Sequence, residues 1–233
     1  MNNRTAVFCF SASSIIGSGH SIRCNAFADM LDEIGWSIRF IVGEETISTT
    51  SHITNGSEFI CSTYKSISEL PNIISKLDII DLLIIDDYSV NKEIENNCRK
   101  YANKIVVIED IPYKFHDCDV LIDQTLGREA EEYDSLLPKN TLRLVGSKYA
   151  LLRKDFINFR YKCWRKKKIA KKNKSILISY GSLDEHDLVC KTIDVINNGK
   201  LDVDINIIIS SASKFIDKIK KYQIKNNNIN LYI

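Results

Sequence analysis

No stretch of this sequence approaches the roughly 18 consecutive apolar residues that a membrane-spanning helix needs. Its first residues, MNNRTAVFCFSAS, hold no long apolar core of the signal-peptide kind. The chain is therefore expected to remain in the cytoplasm, with no membrane partner. Proline and glycine are scarce, 3 and 9 among 233 residues, which excludes collagen-like and low-complexity architectures. With 44% hydrophobic and 27% charged residues, the chain is too apolar to be wholly disordered. Its 7 cysteines (Cys9, Cys24, Cys61, Cys98, Cys118, Cys163 and Cys190) include no CxxC pair. Neither a disulfide framework nor a zinc knuckle is expected from that spacing, and the thiols are read as free. No metal site and no cofactor motif is visible.

Charge is unevenly spread. The segment RYKCWRKKKIAKKNK, residues 160–174, carries 9 basic residues and no acidic one, so the remainder is net acidic although the whole chain is +2. A basic run with Tyr161 and Trp164 could neutralise phosphates and stack bases. No nucleic-acid-binding motif accompanies it, and it is read as a solvated linker, with no nucleic-acid partner.

The hydrophobic pattern alternates between two kinds of segment. TAVFCF (Thr5–Phe10) reads as a buried strand, IRCNAFADMLDEI (Ile22–Ile34) as an amphipathic helix stopped by Gly35, and SIRFIV (Ser37–Val42) as a second strand. ISELPNIISKL predicts a helix that becomes regular near Leu70, with Pro71 in its first turn. Three further apolar runs end in polar residues: IIDLLII before Asp86-Asp87-Tyr88, IVVI before Glu109-Asp110, and VLI before Asp123-Gln124. Runs apolar on both faces, alternating with helices, indicate an α/β fold with a parallel sheet covered on both sides. In such sheets ligands bind at the carboxyl ends of the strands.

After the basic run the pattern restarts: strand SILISY, a helix around Asp187–Ile196, strand VDINIII, a helix over Ser213–Tyr222, and strand INLYI. These features divide the chain into a first domain over 1–159, a linker over 160–174 and a second, partial domain over 175–233. About 60 residues is short for a doubly wound domain, which usually needs about 100 or more. One face of its sheet is expected to lack cover, as in a fragment, a truncated product or a chain completed by a partner.

The candidate chemistry lies in SASSIIGSGHS, between the first strand and its helix. Gly17 and Gly19 let the backbone approach a ligand, and a helix N-terminus favours an anion such as phosphate. The spacing matches neither a dinucleotide fingerprint nor a phosphate loop of the GxxxxGK[ST] type. His20 follows immediately, and an imidazole can accept a proton from water near neutrality. His52 reads as exposed, and His116 and His186 as capping or surface residues.

HDCDVLIDQ (His116–Gln124) resembles the HxCDxLxDQ segment of one enzyme family. So do IIGSGHSIRC (Ile15–Cys24), IIDDY (Ile84–Tyr88), YDSLLP (Tyr133–Pro138) and YALLRKDF (Tyr149–Phe156), in the family's order, with ILISYGSLDEHDL as a weaker match later. The family is the UDP-2,4-diacetamido-2,4,6-trideoxy-β-L-altropyranose hydrolases of pseudaminic acid biosynthesis, themselves similar to GT-B glycosyltransferases. The resemblance implies a GT-B-like fold of two Rossmann-like doubly wound domains, the second incomplete here, with the active site in the cleft between them. It implies metal-independent, inverting hydrolysis of a UDP-sugar substrate, with His20 as general base. Gly17, Ser18, Gly19, Arg23, Tyr88, Arg153, Gly181 and Ser182 are the implied substrate-binding residues. Two departures stand out: Asp87 where the family often has histidine, and Ser182 where it has a second glycine. A GT-B transferase needing an acceptor sugar or lipid, and an inactive sugar-binding remnant, are the alternatives; the sequence does not set the oligomeric state.

Overall fold

A computed structural model describes residues 4–13, 16–50, 60–166, 174–181, 183–184 and 186–233. The chain divides into two compact units, Met1–Arg160 and Tyr161–Ile233.

The first unit is built on strands β1 (Thr5–Phe10), β2 (Ser37–Gly43), β3 (Ile60–Tyr64), β4 (Ile80–Asp86), β5 (Ala102–Ile108), β6 (Val120–Asp123) and β7 (Leu142–Val145). All pair in parallel, in the order β3-β2-β1-β4-β5-β6-β7. The apolar runs are continuous because both sheet faces are buried. Val7, Cys9, Ile41, Leu83, Ile85 and Ile105 pack on one side, while Ala6, Phe8, Phe10, Phe40, Ile84 and Val106 pack on the other. Phe8 meets both Phe27 and Phe40 edge-on with ring centroids 5.6 Å apart, fixing helix α1 (Gly19–Glu33) and β2 against β1.

Helix α1 starts three residues before the apolar periodicity does, because the Ile22 N–H already bonds the Ser18 carbonyl at 3.0 Å. Pro71 lies in the first turn of α3 (Leu70–Ile74), as its fixed φ predicts; a 3-10 turn at Ile67–Glu69, capped by Ser66, leads into it. Between them the structure adds α2 (Glu44–Thr50), and beyond α3 it adds α4 (Lys92–Cys98), capped by the Asn91 side chain on the Ile94 N–H at 3.0 Å. These two helices and the short strands β3 and β7 give no periodic run long enough to read. The basic segment expected to be a linker begins inside a helix, α5 (Lys154–Lys166), while residues 167–173 lie outside the described residues.

The second unit is a three-stranded parallel sheet, ordered β10-β9-β8, of β8 (Ser175–Ile178), β9 (Asp204–Ile208) and β10 (Ile229–Tyr232). Helices α6 (Leu188–Asn198) and α7 (Ile216–Lys225) bury Val189, Ile193, Ile205, Ile207 and Ile219 on one of its faces. Leu177, Ile208 and Tyr232, which alternate to the other face, are exposed. Among the described residues no helix is long and apolar enough to cross a membrane. Cys9, Cys24, Cys98, Cys118 and Cys190 are free and buried, and Cys163 is free and exposed.

Candidate functional site

The strand order reverses between β1 and β4, and the loops leaving these two strands flank the crevice where open α/β sheets bind ligands. The β1 loop folds back on itself: the Gly17 N–H donates to the Ser13 carbonyl at 2.8 Å, and the Ile16 N–H to Ser13 Oγ at 3.1 Å. Gly17 has φ +80°, a conformation L side chains rarely adopt, which sets the entry angle of α1. Open space lies where a Cβ would stand at both Gly17 and Gly19, so a ligand can come close to the backbone. Ser18 is the N-cap but its side chain makes no capping bond.

His20 therefore stands in the first turn of α1. It is 4% exposed, yet among the described residues neither Nδ1 nor Nε2 has a hydrogen-bond partner. A buried polar group without a partner is costly, and such groups concentrate where a ligand or catalytic step supplies the missing contact. Nε2 lies 3.9 Å from Asp86 Oδ1, at the end of β4, a distance for charge attraction rather than a hydrogen bond. The imidazole meets the Tyr88 ring edge-on, centroids 4.5 Å apart at 70°.

Arg23, one helical turn on, braces this arrangement. Its Nε and Nη2 grip both oxygens of Asp86 at 2.6 Å, and Nη1 reaches Asp110 Oδ1 at 2.7 Å. Burial alone would lower the guanidinium's pKa, but the two carboxylates outweigh it and raise it above its ordinary value. Burial likewise opposes ionisation of Asp110, and the Arg23 bond overcomes it, holding Asp110 below the usual carboxylate range. Asp110 Oδ2 accepts the Tyr88 hydroxyl at 3.0 Å, and partial burial together with that carboxylate pushes the phenol up to about 12. Tyr88 remains protonated and donating at any ordinary pH. Arg23, expected to bind substrate, thus spends its fork on residues of this chain; it positions Asp86 and Asp110 around His20.

Behind Asp110 lies a charged cluster that the sequence left unread. His116, expected at a cap or surface, is 1% exposed and wedged between carboxylates from two elements. Its Nδ1 lies 2.6 Å from Glu95 Oε1 on α4, and its Nε2 lies 3.5 Å from Glu109 Oε2, just past β5. Glu109 Oε1 accepts the Asp110 N–H at 2.9 Å, tying the cluster to the site, and Glu95 Oε2 accepts the Asp117 N–H. Burial lowers the imidazole's pKa, and Glu109 and Glu95 more than reverse this, raising it to about 9. Because the folded value exceeds the unfolded one near 6.5, this group stabilises the fold fully below about pH 6.5. That contribution, on the order of 3 kcal/mol, is lost as pH rises through about 9. Urea unfolding of His116→Gln is expected to lack this alkaline loss; an identical pH dependence in both proteins would contradict the assignment.

The motif residues after β6 serve the frame. Asp123 accepts Arg128 Nε at 2.7 Å and the Tyr133 hydroxyl at 2.8 Å, while Gln124 Oε1 accepts the Leu151 N–H at 3.0 Å. Arg128 Nη2 also donates to the Asp110 carbonyl at 2.8 Å. Three expected site residues remain: Arg153, Gly181 and Ser182. Arg153 is exposed, with its guanidinium 5.6 Å from the centroid of the Phe156 ring. Gly181 adopts φ +75° just past β8, and no described residue lies within contact of where a Cβ would stand. Ser182 and His52 lie outside the described residues; His186 is exposed, as expected.

No family model matches the chain. It is 27% identical over 227 residues to the UDP-2,4-diacetamido-2,4,6-trideoxy-beta-L-altropyranose hydrolase of Campylobacter jejuni, covering 97% of this chain and 77% of that protein. The chain resembles that hydrolase. The resemblance thus extends over nearly the full length of this chain. An uncharacterised protein of Methanocaldococcus jannaschii is 26% identical over 158 residues, covering 65% of this chain but only 32% of that protein. Among solved structures, MurG of Acinetobacter baumannii superposes with TM-score 0.54 at 13% identity, covering 98% of this chain. The fold is GT-B-like, an α/β fold with a Rossmann-like parallel sheet in each unit. This chain spans 65% of the MurG chain and about a third of the archaeal protein.

Proposed function

We propose that this chain is a nucleotide-sugar hydrolase that releases UDP from UDP-2,4-diacetamido-2,4,6-trideoxy-β-L-altropyranose, as a step of pseudaminic acid biosynthesis. The observation that carries the proposal is His20: a buried imidazole whose two ring nitrogens make no hydrogen bond among the described residues, at the start of a helix beside the strand-order reversal. The similarity to the Campylobacter hydrolase supports the substrate.

In the proposed reaction, water attacks the anomeric carbon and His20 takes its proton. The bond from that carbon to the β-phosphate oxygen breaks, and UDP leaves with the electron pair as an anion. The products are the free sugar, UDP and one proton, which His20 returns to solvent. UDP is a good leaving group, so no second carboxylic acid of the glycosidase kind is required, and no metal enters the scheme. Attack from the face opposite UDP inverts the anomeric centre. The imidazolium formed in the step faces the Asp86 carboxylate, which Arg23 holds in place. Gly17, Ser18 and Gly19 offer backbone to the substrate at the helix start, and Tyr88 offers a ring edge and a hydroxyl near the reacting centre. Arg153, Gly181 and Ser182 are proposed contacts for the nucleotide.

Reaction in ¹⁸O-labelled water tests hydrolysis directly. One labelled oxygen is expected in the anomeric hydroxyl of the released sugar, with none in UDP. UDP release that requires an added acceptor would instead mark a GT-B transferase, and label in the UDP would mean cleavage at phosphorus.

A further inference from the structure

His116 takes no part in the proposed step, yet its side chain and that of Glu95 are fully buried beside the residues that do. A neutral imidazole carries a single N–H, so it donates to one carboxylate and turns a lone pair toward the other; the charged ring donates toward both. Nδ1, 2.6 Å from Glu95 Oε1, makes a charge-assisted hydrogen bond. Nε2, 3.5 Å from Glu109 Oε2, makes no hydrogen bond among the described residues and holds that carboxylate by charge attraction. Loss of a ring proton therefore falls on Glu109. The nearer Glu95 keeps the remaining N–H, and a lone pair faces Glu109.

Glu109 carries the effect forward. Its Oε1 accepts the N–H of Asp110 at 2.9 Å and of Ile111 at 3.3 Å, which fixes the turn just past β5. The Asp110 carboxylate accepts Arg23 Nη1 at 2.7 Å and the Tyr88 hydroxyl at 3.0 Å, and the Tyr88 ring lies edge-on against His20. Arg128 Nη2 and Thr125 Oγ1 hold the Asp110 carbonyl, at 2.8 and 3.5 Å, so Glu109 anchors the opposite side of the same residue. The other groups around the ring keep their charge while His116 titrates. Burial, with the Glu95 charge added, pushes the thiols of Cys98 on α4 and of Cys118 up to about 12. Burial and Asp123 raise the Tyr133 phenol, which also feels Glu109. Burial opposes ionisation of Glu109, but its bonds to His116 and to the Asp110 N–H, with the Lys114 charge, hold it below the usual carboxylate range. Asp117, whose N–H donates to Glu95, and Asp119 are paired with Arg99.

We infer that His116 is a positioning residue for His20: its charged ring anchors Glu109, and Glu109 sets the Asp110 carboxylate that aims Tyr88 and Arg23 around the base. The inference rests on the hydrolase reading for the role of His20 and adds a relay of four side chains behind it. Against burial, Glu109 and Glu95 raise the His116 imidazole to about 9, so the relay is intact at neutral pH and loosens as pH rises through that value.

The full chain, labelled with ¹³C in its tyrosine rings, is titrated by NMR from about pH 7 to about pH 10, and UDP release is assayed over the same range, with circular dichroism confirming the fold. The Tyr88 ring signals, assigned with Tyr88→Phe, are expected to step with a midpoint near 9, well below the phenol's own value of about 12. Through the same step kcat should fall about tenfold with KM little changed, because the base loses its aim while the substrate keeps its contacts. His116→Gln donates to one carboxylate and does not titrate, so its Tyr88 signals and its kcat should stay flat, at the level the unmodified chain reaches at the alkaline end. Should that variant misfold, Glu109→Gln removes one of the two carboxylates around the ring and should move the step down by about one pH unit. No step at Tyr88 in the unmodified chain, or the same step in His116→Gln or Glu109→Gln, would overturn the inference. The two readouts separate the claims. A His116-dependent step at Tyr88 without UDP release would remove only the hydrolase reading, and release whose kcat ignores the step would remove only this one.

Discussion

Replacing Arg23 by leucine is expected to cost the first unit about 3–5 kcal/mol of stability, the usual result of removing one partner from a buried ion pair. The guanidinium is 7% exposed, and three of its nitrogens bond Asp86 and Asp110. Among the described residues, leucine would leave the Asp86 carboxylate, 1% exposed, with the weak Cys24 thiol contact at 3.5 Å and His20 Nε2 at 3.9 Å to meet it. Arg23→Lys restores the charge but not the fork, so it should recover only part of the loss. The double variant Arg23→Leu/Asp86→Leu removes both charges and should be more stable than Arg23→Leu alone, because no buried charge is left unpaired. Denaturant unfolding of the three variants decides this. A cost below about 1 kcal/mol for Arg23→Leu would mean that water replaces the guanidinium and that the brace around His20 is not a strong one.

Much of this architecture is legible in the sequence, for a definite reason. The strands of a parallel sheet covered on both faces are continuous apolar runs, so TAVFCF, SIRFIV and the run ending at Asp86 announce themselves. The polar residues just past those runs mark the strand ends where ligands bind, and Asp86, Tyr88 and Asp110 do meet beside His20. What they do there is not legible. Arg23 finds its carboxylates 63 and 87 residues away. His116 is enclosed by Glu95, 21 residues earlier, and by Glu109 at the end of a neighbouring strand. A histidine among charged residues looks like a surface residue until the fold places two carboxylates around it. The spacing of His116 in the HDCDVLIDQ motif was the one available signal, and it gave no role. Short elements such as β3 and β7 are likewise unreadable, since their pairing with β2 and β6 fixes them more than their own residues do.

His20→Asn is expected to leave the fold intact and to lower UDP release about 10²–10⁴-fold, the range in which a positioned general base contributes. Asparagine is polar and close in size, so the pocket against Tyr88 stays filled, but its amide accepts no proton near neutrality. The loss should appear in kcat with little change in KM, because the substrate's binding contacts are proposed on Gly17, Ser18, Gly19 and Tyr88 rather than on the imidazole. Arg23→Lys should show a smaller decrease, since the base itself remains while its brace loosens.

The most direct test compares the rate of UDP release from UDP-2,4-diacetamido-2,4,6-trideoxy-β-L-altropyranose by the unmodified chain and by His20→Asn. It is run without acceptor or added metal, with circular dichroism confirming that both are folded. The account predicts steady acceptor-free release by the unmodified chain and a loss of at least about a hundredfold in the variant. Equal release by both proteins, or none from the folded unmodified chain, would contradict it.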